Sequence, residues 1–584
     1  MSIKSRYIVF ICLIFIVFVG IFVRLGYLMV VQHEFYLDRS NKQIKKLIRI
    51  DTSRGRILDR NMYPLAVSQP VVSVYASPRL IPDKLAFATR VAPLLNMEVA
   101  RLARLVSGSS NFVWLKRKVS DVDVDKIKSI SPRQLNVLME EKRVYPNDQL
   151  VSDVIGFVGM DEGLAGLEYQ FDQFLTGEQG FYIIQGDPGG IRIISSDKTL
   201  MGKAKGFSVG NRGAEASSLK GGSLVLTVDY RVQYLVEQLL SKNIERVEAE
   251  SGQVIVMDVT TGEIIAMADL PNYDPNYYQQ HPYSVLKNSC VVDVLEPGSI
   301  FKLVTYAGAL NEQIVTPGTM IDIPERLVIQ RRPISEAHDR EPDAPSVYPA
   351  EDIIRKSMNV GTVLLAQQMG KSQFYKYIEA FGFGKKTGIQ LPGETRGLLR
   401  PLSDVADIDH AVMSFGQGIS VTPIQMVAAI AAIANDGVYV APRIVKHQTD
   451  HDYLTVFNRG GYREQRVISS DASRGVLMAM ERVVTAGTGR YAAVPGYRIG
   501  GKTGTAQKPL DNGLGYEEGA YIASFVGVLP IQQPKYAILV IVHEPQTTIW
   551  GSTAAAPLFS DVARVLIDYY NIEPDVSQLQ YMVD

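Results

Sequence analysis

The sequence predicts an α/β (α+β) protein with a central antiparallel sheet covered by helices, preceded by a mixed α/β N-terminal region and a transmembrane helix. Three observations predict it. Strand-like runs occur in pairs across turn signals: residues 254–259 and 264–268 flank Thr260-Thr261-Gly262-Glu263, and 523–529 and 536–543 flank 530–534. Segments of helical spacing lie between and after those pairs. Residues 7–23 form an apolar run without a charge.

That run spans about 25 Å as a helix and reaches residue 31 if Arg24 snorkels to the interface. An uncleaved anchor and a cleaved signal peptide compete here. The anchor is favoured because Phe22-Val23-Arg24-Leu25-Gly26-Tyr27 lacks a small-x-small cleavage site. Lys4 and Arg6 precede the run, whereas Arg39, Lys42, Lys45, Lys46 and Arg49 follow it, so flanking charge does not set the orientation. Residues 32–219 mix short apolar stretches with Pro and Gly, and the glycine-rich polar stretch 203–222 marks a boundary. Beyond it, 224–228 reads as a strand and 232–240 as a helix. Thr422 as N-cap, Pro423 at the first helical position and Gly437 as terminator delimit a buried Ala- and Ile-rich helix, and residues 557–570 form another that covers the sheet.

Composition excludes several classes. At 584 residues the chain has room for two folded units plus an anchor, and a formal net charge of −1 gives no electrostatic footprint for nucleic acid. Cys12 lies in the apolar run and Cys290 reads as core, which leaves neither a disulfide nor a zinc cluster. Among the seven histidines only His338-Asp339 pairs His with Asp, and His338 reads as a solvated loop residue. Arg331-Arg332 and the stretch to Pro349 likewise read as exposed loop.

The chemistry concentrates in three strings. In Ser299-Ile300-Phe301-Lys302, residues 300–310 read as a helix, so Ser299 falls in its first turn and Lys302 on the same face. A lysine that is to deprotonate a serine must be neutral, and its ordinary pKa of ~10.4 has to fall to near 7 by burial or a neighbouring cation. Lys502 is the candidate cation. Ser357-Met358-Asn359 lies at a junction between helices at 350–356 and 360–369. There the hydroxyl can relay a proton to a leaving group, and the amide can orient Lys302 and hold a substrate amide. Lys502-Thr503-Gly504-Thr505 reads as an edge strand in which Gly504 permits close approach, the threonine hydroxyls suit a carboxylate, and the N–H groups of Thr505 and Ser299 suit an oxyanion. Strict alternation puts Lys502 on one face and Thr503 and Thr505 on the other, so sharing one site requires twist. A second copy, Lys386-Thr387-Gly388, leads into Gln390-Leu391-Pro392-Gly393-Glu394 and reads as a structural turn.

The ordered trio resembles that of the penicillin-binding proteins and serine β-lactamases. Further strings resemble a class B penicillin-binding protein over nearly the whole chain: Arg54-Gly55-Arg56-Ile57-Leu58-Asp59-Arg60-Asn61 with Pro64-Leu65-Ala66, Gly166-Leu167-Glu168-Tyr169, Glu296-Pro297-Gly298-Ser299 and Thr422-Pro423-Ile424-Gln425. Within that family the likeness is greatest to the division-specific (septal) D,D-transpeptidase. The resemblance implies a β-lactamase/transpeptidase-like domain at 221–584, a pedestal (dimerisation-like) domain at 32–220, an anchor at 7–31 and a cytoplasmic tail at 1–6, with the bulk outside the cytoplasm. It implies a serine-type D-Ala-D-Ala transpeptidase without cofactor. Ser299 would attack the penultimate D-Ala carbonyl of a peptidoglycan stem peptide with Lys302 as base, and Ser357, Asn359 and Lys502 would complete the catalytic set. Thr503, Gly504 and Thr505 would bind substrate. β-Lactams would acylate Ser299, and a membrane glycosyltransferase of the shape/division family and other division proteins would be partners. An elongation-specific transpeptidase is the alternative within the class. Outside it stand a β-lactamase or carboxypeptidase, for which no E-x-x-L-N string follows Asn359, a membrane-bound β-lactam sensor, and a non-catalytic division scaffold.

Overall fold

The structure, a computed structural model, describes residues 3–36, 45–50, 53–119, 124–130, 134–177, 180–187, 190–194, 220–337, 344–451, 453, 456–457, 464–510 and 515–575. Helix α1 (Ile3–Gly26) continues into a π-turn at Tyr27–Val31. Its stretch Phe10–Val31 is long and apolar enough to cross a membrane, and none of it is buried against the rest of the chain, unlike a core helix.

The chain divides into two compact units that interleave in sequence. One comprises Met1–Arg54, Ser68–Lys142 and Thr176–Lys220. In it, helices Lys84–Val91 and Val99–Leu105 bury Phe87, Val91 and Leu102 in a small core with Leu115 of the strand Val113–Val119. Asp83 starts the first of these helices by accepting the Ala86 N–H at 2.9 Å. A separate sheet pairs Lys45–Ile50 with Gly180–Asp187, and the latter with Gly190–Ile194.

The other unit gathers Gly55–Val67 and Arg143–Leu175 with Gly221–Asp584, so the break between Lys220 and Gly221 is one of several along the chain. Its framework runs through α2 (Tyr230–Val247), β1 (Ser251–Asp258), β2 (Ile264–Leu270), α3 (Lys302–Asn311), α4 (Ala350–Arg355), α5 (Asn359–Met369), α6 (Pro423–Ala434), α7 (Ser470–Ala486), β3 (Gly500–Pro509), β4 (Tyr516–Leu529), β5 (Tyr536–His543) and α8 (Ala556–Tyr570). The five strands form one antiparallel sheet in the order β2-β1-β5-β4-β3. Both expected hairpins are present. Because helices cover both faces, β5 is apolar at nearly every position: Ala537, Leu539 and Ile541 join the core under α6, while Ile538, Val540 and Val542 join the core under α2 and α8. Helix α6 is buried at all twelve positions and starts with a capping box, Thr422 Oγ1 accepting the Gln425 N–H at 3.3 Å and Gln425 Oε1 accepting the Thr422 N–H at 2.9 Å.

The early strings that resemble the family are buried polar fasteners inside this unit. Asp59, 1% exposed, accepts the N–H groups of Asn61, Tyr63 and Tyr230. Arg60 and Arg443 converge on Glu263 at 3.0 and 2.9 Å. Glu168 is fully buried and binds Arg143 at 2.6 Å, and Arg143 in turn donates to Gly55 O at 2.7 Å.

One expectation is corrected. Residues 331–349 are not simply exposed loop: Arg326–Ile329 pairs with Arg332–Ser335, and Val347–Pro349 pairs with Met320–Asp322. Gln330 and Arg331 turn the hairpin with φ of 50° and 66°, the left-handed pair that a two-residue turn needs and that Asn-Gly would ordinarily announce. His338-Asp339 lies outside the described residues.

Glu168→Ala would remove the buried carboxylate that neutralises the Arg143 guanidinium. It should cost about 3–5 kcal/mol of stability, read as a lowered thermal unfolding midpoint of the full-length protein.

Candidate active site

Pro297 and Gly298 break the chain before the turn Gly298–Phe301, which runs straight into α3. Gly298 adopts φ 54° and donates its N–H to Gly416 O at 3.0 Å; a Cβ there would sit 3.5 Å from Thr505 O. The Ser299 turn therefore packs directly on β3 at Thr505. Ser299 is half-buried, and Lys302, three residues on, is completely buried.

Three segments converge on the Lys302 amine. It donates to Ser357 O and Asn359 Oδ1, both at 2.7 Å, and lies 3.3 Å from Ser357 Oγ. All three of these acceptor atoms come from the short segment Ser357–Asn359. Lys502, also fully buried, donates to Ser357 Oγ at 2.8 Å and to Thr503 O at 3.0 Å. One hydroxyl thus bridges two amines. Burial pulls Lys302 down to about 7, opposed by the negative charge of Glu336. Burial pulls Lys502 well below its ordinary range, and the charge of Lys302 adds to that. Each effect disfavours two ammonium groups in one dry site. Ser357 holds φ 60°, a left-handed backbone that a serine rarely adopts and that turns its carbonyl and hydroxyl toward the amines.

The strand string behaves partly as expected. β3 is an edge strand, paired among the described residues only with β4. Alternation holds: the Thr503 hydroxyl meets Thr488 Oγ1 at 2.9 Å, and Thr505 Oγ1 accepts the Gly551 N–H at 3.2 Å. Gly504 leaves room chiefly for the protein itself, since a Cβ there would lie 2.3 Å from Ser524 Oγ and 3.2 Å from Ile300. The Lys386 copy is a turn, its Thr387 N–H and hydroxyl and its Gly388 N–H all held by Glu394. Cys290 is buried core.

Two participants carried no signal in the sequence. Thr488 reaches Thr503 from the loop after α7. Glu336 accepts the Asn359 and Val360 N–H groups from 23 residues upstream of Asn359 in the chain, too far for any local capping pattern.

A fully buried lysine three residues after a helix-start serine, with one hydroxyl shared by a second buried amine, fits a serine acyltransferase of the penicillin-recognising class. Residues 252–564 match the penicillin binding protein transpeptidase domain, and residues 49–205 match the penicillin-binding protein dimerisation domain. The chain belongs to the class B penicillin-binding proteins, the D-Ala-D-Ala transpeptidases of peptidoglycan synthesis. It is 33% identical to stage V sporulation protein D of Bacillus subtilis over 97% of this chain and 86% of the relative. It is 31% identical to the peptidoglycan D,D-transpeptidase FtsI of Escherichia coli K12, covering 94% of this chain and 90% of that one. The fold matches crystalline penicillin binding protein 3 of Mycobacterium tuberculosis in complex with aztreonam, with a TM-score of 0.69 and 26% identity over 91% of this chain and 98% of that one.

If Lys302 takes the proton of Ser299, the rate of acylation by a chromogenic cephalosporin should rise with pH and level off above about 7, where burial leaves its amine neutral. Below that point the rate should fall about tenfold per pH unit. A stopped-flow pH series on the full-length protein reads this limb directly.

Proposed function

We propose that this protein is the septal peptidoglycan D,D-transpeptidase of its cell, with Ser299 as nucleophile and Lys302 as its base. The observation that carries the reading is the Lys302 amine: fully buried, held at 2.7 Å by Ser357 O and Asn359 Oδ1 and 3.3 Å from Ser357 Oγ, with burial pulling it down to about 7. Ser299 attacks the penultimate D-Ala carbonyl while Lys302 takes the hydroxyl proton. The N–H groups of Ser299 and Thr505, brought together by the packing of the turn on β3, face the developing oxyanion. Lys302 returns the proton through Ser357 Oγ to the departing D-Ala amine, and Lys502 steadies the relay hydroxyl. Asn359 orients Lys302 and offers its amide to the stem peptide. The free edge of β3 at Thr503, Gly504 and Thr505 accepts the stem peptide as an added strand. An amine from a neighbouring stem then attacks the acyl-enzyme, the ester C–O bond breaks, and the cross-link forms as Ser299 regains its proton.

The relatives named peptidoglycan D,D-transpeptidase FtsI support the septal branch over the elongation branch. In this reading residues 7–31 anchor the chain in the cell membrane, 1–6 face the cytoplasm, and the pedestal at 32–220 and the catalytic domain at 221–584 lie on the outer side. A membrane glycosyltransferase of the shape/division family and other division proteins are its partners.

Incubation of the full-length protein with fluorescent penicillin, followed by intact mass, tests the assignment. One stable adduct that disappears in Ser299→Ala supports it, and Lys386→Ala should label as the native chain does while Lys502→Ala labels about 10²–10³-fold more slowly. Rapid release of hydrolysed drug would point to a β-lactamase instead, and an unlabelled wild type would remove the catalytic reading.

A further inference from the structure

Asn359 serves Lys302 only with its amide oxygen, rather than its nitrogen, turned to the amine. The structure fixes that choice from the far end, because Asn359 Nδ2 donates to Ser335 O at 3.1 Å while Oδ1 receives Lys302 Nζ at 2.7 Å. Asn359 also opens α5, where backbone N–H groups lack partners within the helix. The N-cap residue is Met358, which has no side-chain oxygen to satisfy them. Glu336 does so instead, accepting the Val360 N–H at 3.1 Å through Oε1 and the Asn359 N–H through Oε2. Ser335 and Glu336 are consecutive at the end of the hairpin strand Arg332–Ser335. One dipeptide therefore grips the head of α5 at three points, two on the backbone and one on the Asn359 amide.

The negative charge of Glu336 also opposes the lowering of Lys302 by burial, while the charge of Lys302 adds to the lowering of Lys502. The other charges on elements packed around α3 are occupied locally. On α4, Asp352 pairs with Arg355 and Glu351 with Arg482 of α7; Glu481 of α7 pairs with Arg498; on the helix Lys371–Ala380, Lys371 pairs with Asp407 and Glu379 with Lys385. His410, on the helix that packs against α5, stacks near Phe374.

We propose that Glu336 is a positioning residue for acyl transfer: it aims Lys302 through Asn359, and its charge sets the balance of protons in the lysine pair. This rests on the reading of Lys302 as the base for Ser299.

The test is the pH profile of β-lactam acylation in the full-length protein. E336Q keeps the shape and an acceptor oxygen but removes the charge, so Lys302 should lose its proton more readily and the acidic limb should move about one pH unit downward. E336D keeps the charge but cannot span both N–H groups; its limb should stay with the wild type while the plateau falls about tenfold. A carboxylate that merely caps a helix would lower unfolding midpoints or plateaus and leave every limb in place, and that result overturns the proposal. A limb that moves as far in E336D as in E336Q overturns it too. If the wild type forms no adduct at Ser299, the base reading itself falls; if the adduct forms and the E336Q limb coincides with the wild type, only the role of Glu336 falls.

Discussion

Two lysines buried around one serine hydroxyl are the constraint on which the rest of this unit depends. Neither amine reaches water, and both face Ser357 Oγ, at 3.3 Å from Lys302 and 2.8 Å from Lys502. Water would keep both charged, and exclusion of water is what pulls Lys302 down to about 7 and Lys502 well below its ordinary range. Such a pair is unfavourable by itself, so the surrounding framework has to hold it. Helix α3 is buried at eight of its ten positions, α6 at all twelve, and Ser357 is kept in a left-handed backbone conformation between α4 and α5. The strain and the buried amines belong to the same device.

The sheet supplies the fixed wall against which this device works. β3 carries Lys502 at its edge, and its glycines make it lie closer to its neighbours than any side chain would permit. A Cβ at Gly501 would come 2.3 Å from the Phe525 ring, and one at Gly551 would come 2.3 Å from Gly504 O. Close packing on the inner side leaves the outer edge of the strand as the place where another peptide can pair. The turn that carries Ser299 packs on the same strand at Thr505 and Ala506, so Ser299 and β3 are registered by direct contact rather than through a loop.

Much of this was legible because local chemistry announces it. Apolar runs on either side of turn signals marked both hairpins, Thr422 and Pro423 marked the start of α6, and the i, i+3 spacing of Ser299 and Lys302 put them on one face. What stayed hidden has a common physical cause, namely partners that are near in space and remote in sequence. Glu336 caps α5 across 23 residues, and Thr488 takes the Thr503 hydroxyl from a loop with no pattern of its own. The hairpin near Gln330 turns through two bulky residues at positive φ, which composition gives no reason to expect. The placement of Gly55–Val67 and Arg143–Leu175 with the later residues depends on buried polar contacts such as Arg60 with Glu263 and the Val151 N–H with Glu237, which no linear boundary expresses.

The two Lys-Thr-Gly strings show why the surroundings, and not the string, make a site. In the first, Lys386 is exposed, Gly388 turns at φ 87°, and the Glu394 carboxylate consumes the N–H and hydroxyl donors of Thr387. Nothing there excludes water or presents a strand edge. In the second, the same three residue types run along a strand with the lysine completely buried beside another amine and the backbone edge open. A carboxylate placed among the donors closes the first string into a turn. At the second, the nearby carboxylate of Glu336 is spent on the backbone of α5, which leaves the hydroxyl of Ser357 as the group the two lysines share. Where the carboxylate sits therefore separates the copy closed into a turn from the copy laid along a strand edge.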